Sequence, residues 1–287
     1  MTDFPNFPVL DFDPDSEAVI SPPKKDIPGG FPDRAVICFF REVIEKVAME
    51  HGAKKISSVS SEGGEHPIYE IEHKGKRLAF FFPGVGAPLA AGLMEEVIAL
   101  GASAFIACGG CGVLDRSIAV GHLLVPTAAI RGEGTSYHYM PPSKEVLADA
   151  DALQAIESTL NARGVAYRLT KTWTTDAFYR ETPAKVRKYR AEGCLAVEME
   201  AAAFMAVARF RGVRFGMILY GGDLVQVDAP GTRLLLTVNG GMDKWPLLDE
   251  AGVRMGVYLE NIEYLKQVDE LITAAGGERT VKALEGS

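Results

Sequence analysis

Residues 77–112, RLAFFFPGVGAPLAAGLMEEVIALGASAFIACGGCG, carry the reading that decides the fold. Arg77–Phe82 has strand length and no polar alternation. Pro83-Gly84-Val85-Gly86 breaks it, and Pro88–Leu100 then shows helical apolar spacing closed by Gly101. Ala104–Cys108 is a second apolar strand, expected to end in a turn at Gly109-Gly110. Strand, glycine turn, helix and strand, with strands apolar throughout, indicate a largely parallel sheet covered on both faces.

The same alternation extends both ways. Upstream, Ile68–Glu72 and Arg77–Phe82 flank His73-Lys74-Gly75 as a hairpin, and Ala35–Phe40 is a strand before a helix at Glu42–His51. Downstream, strands are expected at Leu123–Ile130, Tyr167–Trp173, Ala196–Glu198 and Arg214–Tyr220. Helices are expected at Lys144–Ala162, Pro183–Glu192, Met199–Arg211 and Asp249–Ala274. Residues 1–33, rich in proline and acids, form an irregular arm. Residues 34–287 read as one α/β domain with a mostly parallel or mixed central sheet flanked by helices, without repeats or linkers.

Composition narrows the function. The 287 residues carry 30 Lys and Arg against 38 Asp and Glu, a net charge of -8. An acidic chain lacks the basic face that nucleic acids require. No apolar run is long enough to span a membrane, and the acidic, proline-broken start is unlike a signal peptide, so the cytoplasm is the expected location. Cys38, Cys108, Cys111 and Cys194 read as free thiols, mostly in apolar runs. Cys108-x-x-Cys111 lacks the further ligands of a zinc site and does not open a helix as a redox pair would. The histidines have no ligand-like spacing, so no metal is expected.

In such sheets ligands gather at the carboxyl ends of the strands. Gly84-Val85-Gly86-Ala87-Pro88 presents backbone N–H groups at a helix start, suited to an anion, or is simply a tight turn. It lacks the third glycine of a dinucleotide fingerprint, because position 89 is Leu89. Gly109-Gly110-Cys111-Gly112 permits close approach to a ligand. Arg131–Tyr139 mixes a cation, hydroxyls, aromatics and His138. Most telling is Val197-Glu198-Met199-Glu200-Ala201-Ala202-Ala203, two carboxylates at the start of an apolar helix. Buried acids are costly unless they bind something, although capping the helix is the plainer alternative. A carboxylate can accept bonds from vicinal hydroxyls, and methionine offers a soft surface to a sugar. Asp223, after an apolar strand and two glycines, either caps a turn or protonates a leaving nitrogen.

Together these segments, with Thr174–Tyr179 and Gly222-Asp223, resemble the nucleoside phosphorylase and uridine phosphorylase family over residues 35–225. The resemblance implies a single α/β domain with a mixed sheet, assembled as a hexamer or dimer. It implies a small nucleoside as partner and no cofactor beyond inorganic phosphate as co-substrate. Met199 and Glu200 would hold ribose. Phe178 would stack on the base or sugar, and Glu198 and Asp223 would contact the base. Gly86, Gly109, Gly110, Arg41 and Arg131 would form the phosphate or nucleophile site.

The chain departs from the family pattern there. Phe39-Phe40-Arg41-Glu42 replaces a Gly-Asp-Pro loop, Ala107 replaces an arginine, and Gly110 replaces a serine or threonine. An arginine given by a neighbouring subunit would fall near Gly64. Phosphate would then fall to other cations, Arg34, Arg41 or Arg131. The leading expectation is phosphorolysis of a nucleoside to base and pentose 1-phosphate, with Asp223 and Glu200 catalytic. The alternatives are hydrolysis, with Glu42 activating water as in related nucleosidases, and a catalytically silent nucleoside-binding protein. Base, sugar and oligomer stay open.

Overall fold

The computed structural model describes residues 7–61, 63–118 and 121–225. The helix expected at residues 249–274 lies outside them. β1 (Arg34–Cys38) feeds α1 (Arg41–Glu50), which buries Val43, Ile44 and Val47 on one face. β2 (Lys54–Ser61), β3 (Gly64–His73) and β4 (Lys76–Phe81) form an antiparallel meander. Then come α2 (Ala87–Leu100), β5 (Ala104–Val113), β6 (Leu123–Gly132), β7 (Glu145–Leu147) and α3 (Ala150–Ala162). β8 (Tyr167–Thr175), α4 (Pro183–Ala191), β9 (Cys194–Glu198), α5 (Ala201–Arg211) and β10 (Arg214–Leu224) complete the described part.

All these strands join one mixed sheet. β5 pairs with β10, β10 with β6, β6 with β8, β8 with β9, and β9 returns to β5. These five strands close into a ring, which leaves no free edge among them. From β5 the sheet also runs outward through β1, β4, β3 and β2. Helix α5 buries every residue from Ala201 to Ala208 and packs against α2. Gly212 ends it in the left-handed conformation, φ 68°.

Four local expectations need correction. Lys144–Ala162 is not one helix: Val146 is buried as β7 pairs with β6, and Asp149 caps α3 by accepting from the Ala152 N–H at 2.8 Å. Gly109-Gly110 is not a turn, because β5 continues to Val113. The strand expected to stop at Tyr220 likewise runs to Leu224, with an irregularity between Gly221 and Asp223. The helix read from Met199 begins at Ala201. Strand β2 has no counterpart in the sequence reading. It is a mostly polar edge strand, KKISSVSS, so no hydrophobic pattern announces it.

The arm lies on its own chain. Arg77 donates to the Gly29 and Gly30 carbonyls at 2.8 and 2.7 Å, and Arg211 donates to the Ser16 carbonyl at 3.0 Å. Phe12 meets Phe210 edge to face. All four cysteines are free and buried. Among the described residues no helix is long and apolar enough to cross a membrane.

Candidate functional site

One edge of β5 changes neighbour partway along. β1 pairs with it up to Cys38 opposite Cys108, and β9 from Val197 opposite Gly112. Gly109, Gly110 and Cys111 lie between. There the outer sheet and the ring part company, a place where α/β sheets form ligand crevices. Because β9 runs antiparallel to β5, it carries Glu198, Met199 and Glu200 down towards this gap. Phe39-Phe40-Arg41 enters from the end of β1, and Phe39 packs against Gly109.

The two carboxylates have different tasks. Glu198 accepts from the Thr172 and Thr174 hydroxyls at 3.1 and 2.7 Å, and from the Glu200 and Ala201 N–H groups at 2.7 and 2.6 Å. It therefore ties β8 to the first turn of α5, and both its oxygens are engaged within the protein. Burial pushes its carboxyl pKa up, against the pull of these four donors. Glu200 accepts from the Gly86 N–H at 2.6 Å. Burial first, and the Glu198 charge second, push the Glu200 carboxyl up to about 8. Half-buried Met199 sits between them in sequence. Glu198, read from the sequence as a base contact, has both oxygens engaged by donors of its own chain and stands as a support; Glu200 is held by the Gly86 N–H and, through its backbone, by Glu198.

On the other edge of β5, Tyr220 pairs with Gly110 and Asp223 with Gly112. A Cβ on Gly110 would stand 3.1 Å from the Tyr220 hydroxyl, and one on Gly112 3.6 Å from Asp223 Oδ1. These glycines serve close approach of side chains from β9, β10 and the β1 loop, not a change of chain direction.

The family model of the phosphorylase superfamily matches residues 33–242. The chain belongs to the phosphorylase superfamily. The resemblance to nucleoside phosphorylases drawn from Glu-Met-Glu-Ala and the glycine segments is borne out. Guanosine phosphorylase of Halorubrum lacusprofundi is 32% identical over 61% of this chain and 73% of its own. Uridine phosphorylase of Thermococcus kodakarensis is 31% identical over 57% of this chain and 66% of its own. Among solved structures, AMP nucleosidase from Bacteroides thetaiotaomicron is 28% identical with a TM-score of 0.58, covering 66% of this chain and 80% of that one.

As a phosphorylase-superfamily member the chain treats its candidate anion ligands unevenly. Arg131, 4% exposed, donates to Ser136 Oγ at 2.8 Å, the Pro141 carbonyl at 2.7 Å, Ser143 Oγ at 2.7 Å and the Met140 carbonyl at 3.2 Å. Its guanidinium also lies 4.1 Å from the Tyr137 ring centroid. Arg131 folds its own loop, and Glu133 helps by accepting from the Ser136 N–H and hydroxyl. Exposed Arg41 opens α1 and lies 4.9 Å from the Phe82 ring centroid. No side chain caps that helix start. Glu42 is exposed in the same turn. Phe178 begins the short turn after β8, partly exposed, with its ring 4.2 Å from that of Tyr179.

Sequence reasoning missed Thr172, which reads as an ordinary strand residue, and gave Thr174 no role beyond its place in the Thr174–Tyr179 segment.

Proposed function

We propose that this chain cleaves the N-glycosidic bond of a nucleoside and transfers the pentose to inorganic phosphate, releasing base and pentose 1-phosphate. The observation that carries the reading is Glu200, a buried carboxylate fixed between two helix starts beside Met199 and held there by Glu198. An ionised Glu200 accepts bonds from vicinal sugar hydroxyls and stabilises the positive charge that grows as the C–N bond breaks. Phe178 stacks on the nucleoside, and Asp223 gives a proton or hydrogen bond to the departing nitrogen. Arg41, with the uncapped start of α1, attracts the phosphate. The likeness to guanosine and uridine phosphorylases favours phosphate as acceptor.

A second reading takes water as the acceptor, with Glu42 activating it. The internal engagement of Arg131 favours it, as does the likeness to an AMP nucleosidase. The test is release of base from purine and pyrimidine nucleosides, with and without phosphate. Phosphate-dependent release with pentose 1-phosphate supports the first reading. Phosphate-independent release of free pentose supports the second. Binding without release from any nucleoside makes the chain a silent binding protein and overturns both.

A further inference from the structure

Strands β6 and β8 run parallel and part after Gly132 pairs with Thr175. Beyond that pair each makes a short turn, Thr135–His138 from β6 and Phe178–Arg180 from β8. Asp176 bridges the gap, its Oδ2 accepting from the Gly134 N–H at 2.9 Å. The foot of the second turn is tied to the proposed sugar site. Thr174 donates to Glu198 at 2.7 Å and accepts from the Ala202 N–H at 2.9 Å. Thr174 also pairs with Glu198 across β8 and β9, and two residues past that pair stand Asp176 and Glu200. The first turn is held from outside by the arm. Pro8–Leu10 packs on Thr135–His138, and a Cβ on Gly134 would stand 3.8 Å from Val9 Cγ2 and 3.9 Å from Asp176 Oδ2. Phe12 meets Phe210 edge to face, and Phe210 meets Tyr139, just after the turn, in the same way at 5.7 Å between centroids. Gly134 thus lies between the arm and Asp176.

Core packing does not fix the second turn, because Phe178–Arg180 buries no residue of its own. Nor does charge favour an acid there. Buried Glu133 lies close by, its carboxyl pushed up by burial and, less, by the Asp176 charge. What Asp176 offers is an acceptor for a backbone N–H beyond the last β6–β8 pair, in a charge-assisted bond. We propose that Asp176 is a positioning residue for the nucleoside: it locks the arm-covered loop to the turn that presents Phe178. The ring against which the base stacks is thereby held in place before the nucleoside arrives, which lowers the ordering cost of binding. This rests on the cleavage reading above, which gives Phe178 its role, and deepens it. Asp176 acts through Phe178 and moves no proton. The arm takes part through Gly134, by closing the far side of the same loop.

The experiment uses the full chain with Asp176→Ala, Asp176→Asn and Phe12→Ala, and measures base release from guanosine and uridine with and without phosphate. Asp176→Ala should raise nucleoside KM about 3-fold to 10-fold, the range for one hydrogen bond of ordinary net strength. Turnover at saturating nucleoside, phosphate KM and Tm should stay nearly unchanged, because the exposed side chain supports no core. Asp176→Asn keeps an oxygen for the Gly134 N–H and should restore most of the affinity. Phe12→Ala should raise nucleoside KM as well, and the double variant should lose less than the product of the two single losses, since both act on one loop. Equal nucleoside KM for Asp176→Ala and the unaltered protein overturns the proposal. So does an asparagine no better than alanine, which would make the carboxylate itself a base contact. So does a loss spread over turnover, phosphate KM and Tm, which would make the bond a structural tie only. Absence of release by the unaltered protein overturns instead the cleavage reading, while nucleoside Kd by calorimetry, compared across the same variants, still decides this proposal. Absence of binding overturns both.

Discussion

The Gly86 N–H donates to Glu200 Oε1 across 2.6 Å, joining the start of α2 to the start of α5. Two helix N-termini favour a negative charge at this point, while burial and Glu198 oppose it. The balance leaves the Glu200 carboxyl near 8, within the working range of an enzyme.

That position sets a pH dependence. If ionised Glu200 holds the sugar, kcat/KM rises with pH through about 8. Glu200→Gln keeps an oxygen for the Gly86 N–H but carries no charge. It should lower kcat/KM about 100-fold or more and flatten this limb of the profile. Stability moves the opposite way. The folded pKa lies above the ordinary 4.5, so the folded state holds the proton more tightly between 4.5 and about 8. This contribution is fully present below 4.5 and is lost as pH rises through about 8. Urea midpoints of Glu200→Gln should therefore fall less between pH 5 and 8 than those of the unaltered protein. Identical slopes would remove Glu200 as the source.

Glu198 should behave as a structural residue. Glu198→Ala leaves two threonine hydroxyls and two N–H groups without their acceptor in the core. The cost is about 3 kcal/mol or more, from a penalty of about 1–3 kcal/mol for each buried group left unpaired. At roughly 2–4 °C per kcal/mol in a chain of this size, Tm should drop by about 6–12 °C. Glu198→Gln keeps only one accepting oxygen and should fall between. A Glu198→Ala protein with unchanged Tm would return the residue to the binding site.

What the sequence disclosed and what it hid follow from range. The strand–turn–helix–strand unit at 77–112 and the apolar run of α5 were legible because their patterns are local. The identity of the acids at the start of α5 was legible too, but not the division of labour between them. Glu198 finds its hydroxyl partners 24 and 26 residues back on β8, and Glu200 finds Gly86 114 residues back. Arg131 reads as a free cation in one dimension, and only the folded 131–143 loop shows its donors engaged. The ring closed by β9 returning to β5 rests on two residue pairs, Gly112 with Val197 and Val113 with Ala196. No periodicity encodes such a pairing.

Close packing in the ring gives a further test at Gly132. A Cβ there would lie 2.5 Å from Trp173 Nε1 and 2.6 Å from the Thr174 carbonyl oxygen. One contact is a fully buried indole and the other is backbone, so neither can yield cheaply. Gly132→Ala should cost about 1–3 kcal/mol and lower Tm by several degrees. Thermal melts without a shift would mean that β6 and β8 can separate locally at no cost.

Arg41 and Arg131 offer the sharpest contrast between two arginines that look alike in sequence. Arg41 is exposed at the start of α1. If it attracts phosphate, Arg41→Ala should raise the phosphate KM about 10-fold and leave nucleoside KM and Tm nearly unchanged. Arg131 is buried and organises residues 131–143 through four donated bonds. Arg131→Ala should lower Tm by several degrees and expose that loop to proteolysis, because it removes four bonds that hold the loop and leaves the buried Ser136 hydroxyl without its donor. Its effect on turnover should fall on nucleoside and phosphate alike, since it acts through loop order. A rise in phosphate KM alone for Arg131→Ala, with the loop still protected, would place the anion at Arg131 and overturn this division.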